Sequence, residues 1–308
     1  MNEERVVEIG SDGRCICSCG DVCPLGRVGM SYRCTKEELE AAGIKTTEAP
    51  PKKDTEKEAR DSWLWNPKVK GSGIIECIPQ TGLCPNGCED CFFQSGRSYL
   101  EPLEKNLPHI PTLDMAWGRV VRMNDGNDSN VDRACVETVA NGYQDAFFNT
   151  SMPIRLAEFP GPFVLTVNPG KMTDTGFHKL DTAPPNMMFA RVRVNMWNLQ
   201  SVVVPAVNDY VGRLHVPVVL TFMAYYSTPV KKGFEGSYHW ERRTINPYWV
   251  LKRERVDEIE RMFWVKDTVY LCGRHGHSLC KDCGNCLREY HATKERLREI
   301  EESNGGAR

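Results

Sequence analysis

Gly73-Ile-Ile-Glu-Cys-Ile78-Pro-Gln-Thr81-Gly-Leu-Cys84-Pro-Asn-Gly-Cys88-Glu-Asp-Cys91-Phe-Phe93 sets a short apolar run against a loop punctuated by glycine and proline. The run has the length of a buried strand. The loop carries three cysteines spaced C-x3-C-x2-C. Three thiolates at that spacing can hold three corners of an iron–sulfur cube, and no fourth cysteine in the loop completes the set. A zinc ribbon usually needs two C-x2-C pairs or a histidine pair, which this loop lacks.

From about residue 70 onward the same punctuation recurs. Short apolar runs at Gly73–Ile78, Arg119–Met123, Ala146–Asn149, Phe163–Val167, Met187–Val194, Val216–Ala224 and Val269–Leu271 read as strands. Helical patterns fall between them at Val131–Asn141, Asn198–Arg213 and Pro247–Trp264. Alternation of this kind predicts an α/β fold with a mainly parallel sheet. Polar and glycine residues at the strand ends suit a full or partial (β/α) TIM-like barrel, with a doubly wound open sheet as the alternative. Neither an internal repeat nor a glycine-rich phosphate-binding fingerprint is visible.

Fourteen cysteines in 308 residues are the outstanding feature of the composition. Eleven fall into three groups: Cys17, Cys19, Cys23 and Cys34; Cys84, Cys88 and Cys91; Cys272, Cys280, Cys283 and Cys286. Clustered spacings favour metal coordination over disulfides, and no apolar leader follows Met1-Asn-Glu-Glu-Arg. The expected location is therefore the cytoplasm. A net charge of −2 leaves no footprint for nucleic acid or an anionic membrane. No apolar run approaches the roughly 20 residues of a membrane span.

Four segments follow. Residues 1–44 form a cysteine-rich unit in which Thr35–Gly43 reads as a short capped helix. Its cysteines suit zinc or a cluster, with Cys15 as a spare ligand. Residues 45–68 are a charged linker that Trp63 and Trp65 can dock. Residues 69–265 are the barrel. Residues 266–308 hold a C-x7-C-x2-C-x2-C group followed by a charged helix from about Leu287 to Glu302. That group supplies the four ligands of a closed [4Fe–4S] cluster. A structural zinc site, with His275 or His277 among the ligands, is the other reading. Cys77 and Cys135 read as ordinary buried thiols.

The cysteine loop after the first strand of a β/α domain resembles the radical S-adenosylmethionine superfamily. The resemblance covers roughly residues 70–265. It implies that Cys84, Cys88 and Cys91 bind a [4Fe–4S] cluster whose fourth iron is chelated by the amino and carboxylate groups of S-adenosylmethionine. Reductive cleavage would then give a 5′-deoxyadenosyl radical that acts on an unidentified substrate. It also implies a reductant such as flavodoxin or ferredoxin, and an auxiliary cluster on the C-terminal cysteines. The chain departs from the family in two places. Asp90 stands where members usually carry an aromatic residue, so Phe92 and Phe93 are candidates to replace it. Arg122-Met-Asn124-Asp125-Gly-Asn127-Asp128-Ser-Asn130 stands where Gly-Gly-Glu-Pro is common. Asn124, Asp125 and Asn127 can offer oxygens to the methionine ammonium, and the competing reading is a solvated turn. Asn168 and Asn195 are candidates for the ribose and Arg193 for the carboxylate. Tyr225 and Tyr226 either line the substrate side or pack in the core. Outside this class stands a non-catalytic zinc or iron–sulfur interaction or electron-transfer protein.

Overall fold

The computed structural model describes residues 6–9, 35–43, 45–48, 66, 68–80, 84–86, 109–168, 179–225, 230–242, 247–263, 268–272 and 279–305. Cys17, Cys19, Cys23, Cys34, Cys88, Cys91, Phe92, Phe93 and Tyr226 lie outside them.

In the N-terminal unit, strand β1 (Val6–Ile9) pairs in parallel with β2 (Lys45–Glu48). The stretch 45–48 is thus a strand, not the start of a linker. Between them the helix Lys36–Ala41 begins at Thr35, whose hydroxyl accepts from the Glu38 amide while the Glu38 carboxylate accepts from the Thr35 amide. This reciprocal cap satisfies two donors that the first turn would otherwise leave unpaired.

The main sheet has seven parallel strands: β3 (Ile74–Cys77), β4 (Val120–Met123), β5 (Ala146–Thr150), β6 (Phe163–Val167), β7 (Met187–Val194), β8 (Val218–Phe222) and β11 (Val269–Leu271). A separate hairpin of β9 (Tyr238–Arg242) and β10 (Pro247–Leu251) precedes β11. Sheet order follows chain order, β3 to β8 and then β11. Right-handed crossovers in a sheet that grows in one direction put all connecting helices on one face and curl the sheet away from them. The result is a partial TIM-like barrel, with β3 and β11 as its two edges.

Strand periodicity sorts the side chains between two layers. On the outer face Ile75, Val121, Met123, Phe148, Leu165 and Val192 pack with Val136 and Val139 of the helix Arg133–Ala140 and with Val256 and Ile259 of the helix Arg253–Met262. On the inner face Ile74, Val120, Phe147, Val164, Phe189 and Val219 meet Cys286 and Tyr290 of the C-terminal helix Asn285–Gly305. Each fully buried large side chain contributes about 1.5–3 kcal/mol. The C-terminal helix is fixed at the amino ends of the strands. There the Tyr290 hydroxyl donates to Asp145 Oδ1 at 2.7 Å, and Arg296 donates to the carbonyls of Pro185 and Met187 at 2.9 and 2.8 Å.

Two sequence expectations need correction. Pro247–Trp264 is not one helix: its aromatic and β-branched start, Pro247–Leu251, pairs antiparallel with β9. Only Arg253–Met262 is helical. Such residues fit a pleated, half-buried surface better than a helix. Asn198–Arg213 is helical but wide, with π-type turns at Leu199–Val203 and Asp209–Arg213 around Val204–Asn208. Pro205 lacks the amide an α-turn needs at that point. Among the described residues no helix is long and apolar enough to cross a membrane.

Candidate functional site

In a parallel β/α barrel, side chains that do chemistry gather where the strands end and the loops begin. Here the chain leaving β3 is clasped first. Ile78 and His109 exchange two backbone hydrogen bonds of 2.8 Å, so the segment that carries the three cysteines is tied at its base. Gln80 is the next fastening: its Nε2 donates to the carbonyls of Asp128 at 3.0 Å and Val131 at 2.7 Å, and its Oε1 accepts from Asn124 Nδ2 at 2.6 Å. Asn86 is the third, donating to Asp128 Oδ2 at 3.0 Å and Ser151 Oγ at 3.2 Å. Cys84 sits between these anchors, half-buried and outside any disulfide. The loop with the first cysteine is therefore stitched to the carboxyl ends of both β4 and β5.

The loop after β4 is a buried network and not a solvated turn. Asn124, Asp128 and Ser129 are buried, and Asn124 and Asn127 adopt left-handed backbone, φ 58° and 65°, which asparagine tolerates better than most residues. Asn124 Oδ1 accepts from Ser129 Oγ at 2.9 Å, and Asn127 Oδ1 accepts from the Asp128 amide at 2.9 Å. Asp125 pairs with Arg122 and also accepts from Asn66 Nδ2. The Asp128 carboxylate is the hub. Its Oδ1 accepts from Thr150 Oγ1 at 2.7 Å and the Asn130 amide at 2.9 Å; its Oδ2 accepts from Asn86 and from the Ser151 amide and hydroxyl at 2.6 and 2.8 Å.

Below this cap, the inner face carries a polar row formed by every second strand residue. Register aligns Glu76 with Arg122, Thr166 with Arg191, and Arg193 with Thr221. Glu76 Oε1 accepts from the Asn66 amide at 2.6 Å. Asn149 receives Arg191 Nη1 at 3.0 Å and donates to the Met123 carbonyl at 2.8 Å. Several buried atoms in this region find no hydrogen-bond partner among the described residues: Glu76 Oε2, Arg122 Nε, Thr221 Oγ1 and Asn168 Oδ1. An unpaired buried polar atom costs about 1–3 kcal/mol. Asn168, at the end of β6, has such an atom. Asn195 caps the following turn by accepting from the Asn198 amide at 2.9 Å. Arg193 lies near the end of β7, and Asn195 directly follows the strand. Tyr225 is buried against Trp197 and Tyr238, at ring separations of 5.1 and 6.0 Å.

The C-terminal cysteines reach the same inner face. Cys272 directly follows β11, whose pairing with β8 continues through the Cys272 amide and the Leu220 carbonyl at 2.8 Å. The Cys280 amide donates to the Lys68 carbonyl at 2.7 Å. The Cys283 thiol donates to the Cys280 carbonyl at 3.8 Å, and its closeness to Cys272 draws the Cys272 thiol well below its ordinary pKa; burial opposes the shift, and Lys68, Arg191 and Arg122 reinforce it. The same neighbour, with burial, pushes the Cys283 thiol upward. Burial raises the pKa of both Cys280 and Cys286, against the pull of Arg122 on each and of Arg191 on Cys286. Among the described residues, no three His, Cys, Asp or Glu side chains converge tightly enough to share one metal ion. Cys77 is a buried core thiol, as expected, whereas Cys135 is disulfide-bonded and not a free thiol.

Gln80, Asn86, Glu76, Arg122, Arg191 and Thr221 are functional candidates that the sequence alone does not single out. The signal for those on strands is period-two polarity inside apolar runs, as in Ile74-Ile-Glu76-Cys and Val120-Val-Arg122-Met.

Fold and site together define a partial β/α barrel with thiol-bearing segments at its carboxyl edge and on its inner face. No protein-family model matches the chain, and no curated protein does. Among solved structures, the chain is similar to spore photoproduct lyase complexed with dinucleoside spore photoproduct, with 13 % identity, TM-score 0.42, and coverage of 87 % of this chain and 98 % of that one. A single-substitution variant of that enzyme gives 12 % identity and TM-score 0.43 over the same shares. A doubly substituted variant with bound AdoMet and dinucleoside spore photoproduct gives 11 % identity and TM-score 0.38, again over 87 % and 98 %.

Proposed function

We propose that the chain is a divergent radical S-adenosylmethionine enzyme whose loop cysteines Cys84, Cys88 and Cys91 hold a [4Fe–4S] cluster with one iron left for the cofactor. The observation that carries this reading is the anchored cysteine segment. A C-x3-C-x2-C loop leaves the first strand of a sequentially ordered parallel sheet, and Gln80 and Asn86 fasten it to the next two strand ends. The donor set fits the group: three thiols bind three irons of a cube and leave one iron open.

When bound, the cluster and S-adenosylmethionine supply a one-electron cleavage that yields a 5′-deoxyadenosyl radical. The chain's own residues supply position and a dry, polar setting. Asn168 Oδ1, buried at the end of β6, offers an acceptor for a ribose hydroxyl or an ammonium group. Arg193 offers the cofactor carboxylate a charged donor. Asn124 and Asp125 already serve Gln80, Ser129, Arg122 and Asn66. They act on the methionine end by fixing the backbone of their loop. Glu76, Arg122 and Thr221 on the inner face line the substrate side. The chemistry requires a one-electron reductant from outside.

The test is anaerobic reconstitution followed by metal and sulfide analysis of the full chain and of its Cys84→Ala, Cys88→Ala, Cys91→Ala triple variant. The triple variant is expected to lose about four iron ions per chain and all ability to bind S-adenosylmethionine. Unchanged binding in the variant would move the site elsewhere, and zinc in place of iron would remove the radical chemistry.

A further inference from the structure

Inside the partial barrel, six strands change character at the same step. The lower inner-face level is apolar: Ile74, Val120, Phe147, Val164, Phe189 and Val219, covered by Cys286 and Tyr290 of the C-terminal helix. Two residues further along each strand, and so on the same face, stand Glu76, Arg122, Asn149, Thr166, Arg191 and Thr221. The gap between the two edge strands is bridged. The Cys280 amide donates to the Lys68 carbonyl ahead of β3 at 2.7 Å, and Asn285 Nδ2 donates to the Leu271 carbonyl of β11 at 2.8 Å. With the helix below and this bridge at the side, the polar level opens toward the carboxyl edge.

That level is electrically lopsided. On its β3–β6 side Glu76, Arg122, Asn149 and Thr166 are buried, and the charges are answered internally: Glu76 accepts from the Asn66 amide at 2.6 Å, and Arg122 pairs with Asp125. On the β7–β8 side Arg191 and Thr221 stay partly exposed. Arg191 rests on neutral supports, Asn149 Oδ1 at 3.0 Å and the Phe189 ring with its centroid at 5.7 Å. Among the described residues no carboxylate forms an ion pair with it. Thr166 stands beside it in register, and Thr221 Oγ1 is buried without a hydrogen-bond partner among the described residues.

A half-buried guanidinium that spends one N–H on a neutral acceptor keeps the rest of its donor fork for an oxyanion, which it can grip through two parallel hydrogen bonds. We propose that Arg191, with the Thr166 and Thr221 hydroxyls, binds a carboxylate or phosphate group of a small substrate that enters from the carboxyl edge. Arg193, the donor proposed for the cofactor carboxylate, follows two residues later on the same strand, about 6.6 Å nearer that edge. The substrate's anionic end therefore lies beneath the cofactor, and its remaining atoms extend up toward the edge. Calling that anion part of a substrate rests on the radical reading of the cysteine loop; the binding itself does not.

The test uses the full chain, reconstituted anaerobically with iron and sulfide and kept without reductant. Two probes are titrated at fixed ionic strength: inorganic phosphate, followed by phosphorus NMR, and trifluoroacetate, followed by fluorine NMR. Saturable binding of at least one is expected, and the tighter probe names the substrate's group. Arg191→Gln should weaken that binding at least about tenfold, the loss of a charge-assisted hydrogen bond, while the C84A/C88A/C91A variant should keep it. Thr166→Val serves where Arg191→Gln does not fold, and should weaken binding about fivefold. Saturable binding of neither probe, or binding unchanged in the variant used, overturns the proposal. So does binding lost with the loop cysteines, which would put the probe on the loop's metal, or binding that appears only after Cys272→Ala and Cys286→Ala, which would give Arg191 to the thiols. A chain that binds the anion yet releases no 5′-deoxyadenosine under reductant sinks the radical reading and leaves the anion site standing.

Discussion

Asp128→Asn separates the hydrogen-bond hub from every other feature of the carboxyl edge, because the side chain keeps its shape. Five donors converge on the carboxylate: Thr150 Oγ1, the Asn130 amide, Asn86 Nδ2, and the Ser151 amide and hydroxyl. An amide can accept with one end only. Turning its NH2 toward Ser151 and Asn86 would set it against three donors, so the cheaper rotamer points it toward Thr150 and Asn130. The Thr150 hydroxyl can rotate to accept; the Asn130 amide cannot. One hydrogen bond to a charged group is lost, a half-buried donor is stranded, and the remaining bonds weaken to neutral ones. Together these cost about 3 kcal/mol. Urea unfolding at fixed pH measures the loss. The same variant should bind less iron at the loop cysteines, since Asn86 fastens the Cys84 segment to this carboxylate. A stability loss below about 0.5 kcal/mol with iron content unchanged would refute the idea that Asp128 organises the site.

Tyr290→Phe removes the 2.7 Å hydrogen bond to Asp145 without changing core volume, and should cost about 1.5 kcal/mol in chemical denaturation. Gly284, between Cys283 and Asn285, has φ 62°, and no neighbouring atom lies within 4 Å of where a Cβ would stand, so Gly284→Ala should cost about 1 kcal/mol through the backbone alone. Thermal unfolding of Gly284→Ala beside Gly284→Asn checks this, because asparagine should be the milder change. Thr35→Ala removes the side-chain half of the N-terminal capping box and should cost the small unit about 1 kcal/mol, read by limited proteolysis of that unit.

The barrel strands are legible because each is a run of apolar residues bounded by turn signals, and a parallel sheet covered on both faces needs nothing else. Phe163–Val167 and Met187–Val194 fall on the residues the pattern marks. Pro247–Leu251 reads as helix because an aromatic run next to a charged helix shows no internal break until Lys252. The cysteine loop declares itself through spacing, yet its fastenings do not. Gln80, Asn86 and Asp128 act through contacts 22 to 65 residues apart in the chain, which no local pattern encodes. The inner-face arginines are a similar case: one charged residue in a short strand reads as noise until register places Arg122 beside Glu76.

If the Cys84 loop supports reductive cleavage of S-adenosylmethionine, the direct measurement is 5′-deoxyadenosine released by the reconstituted full chain under strong one-electron reductant, quantified by chromatography. The product should accumulate with the native chain, disappear in Cys84→Ala, Cys88→Ala and Cys91→Ala variants, and survive in the variant lacking the four C-terminal cysteines. An iron-loaded native chain that releases none, or release that persists without the loop cysteines, would contradict the assignment.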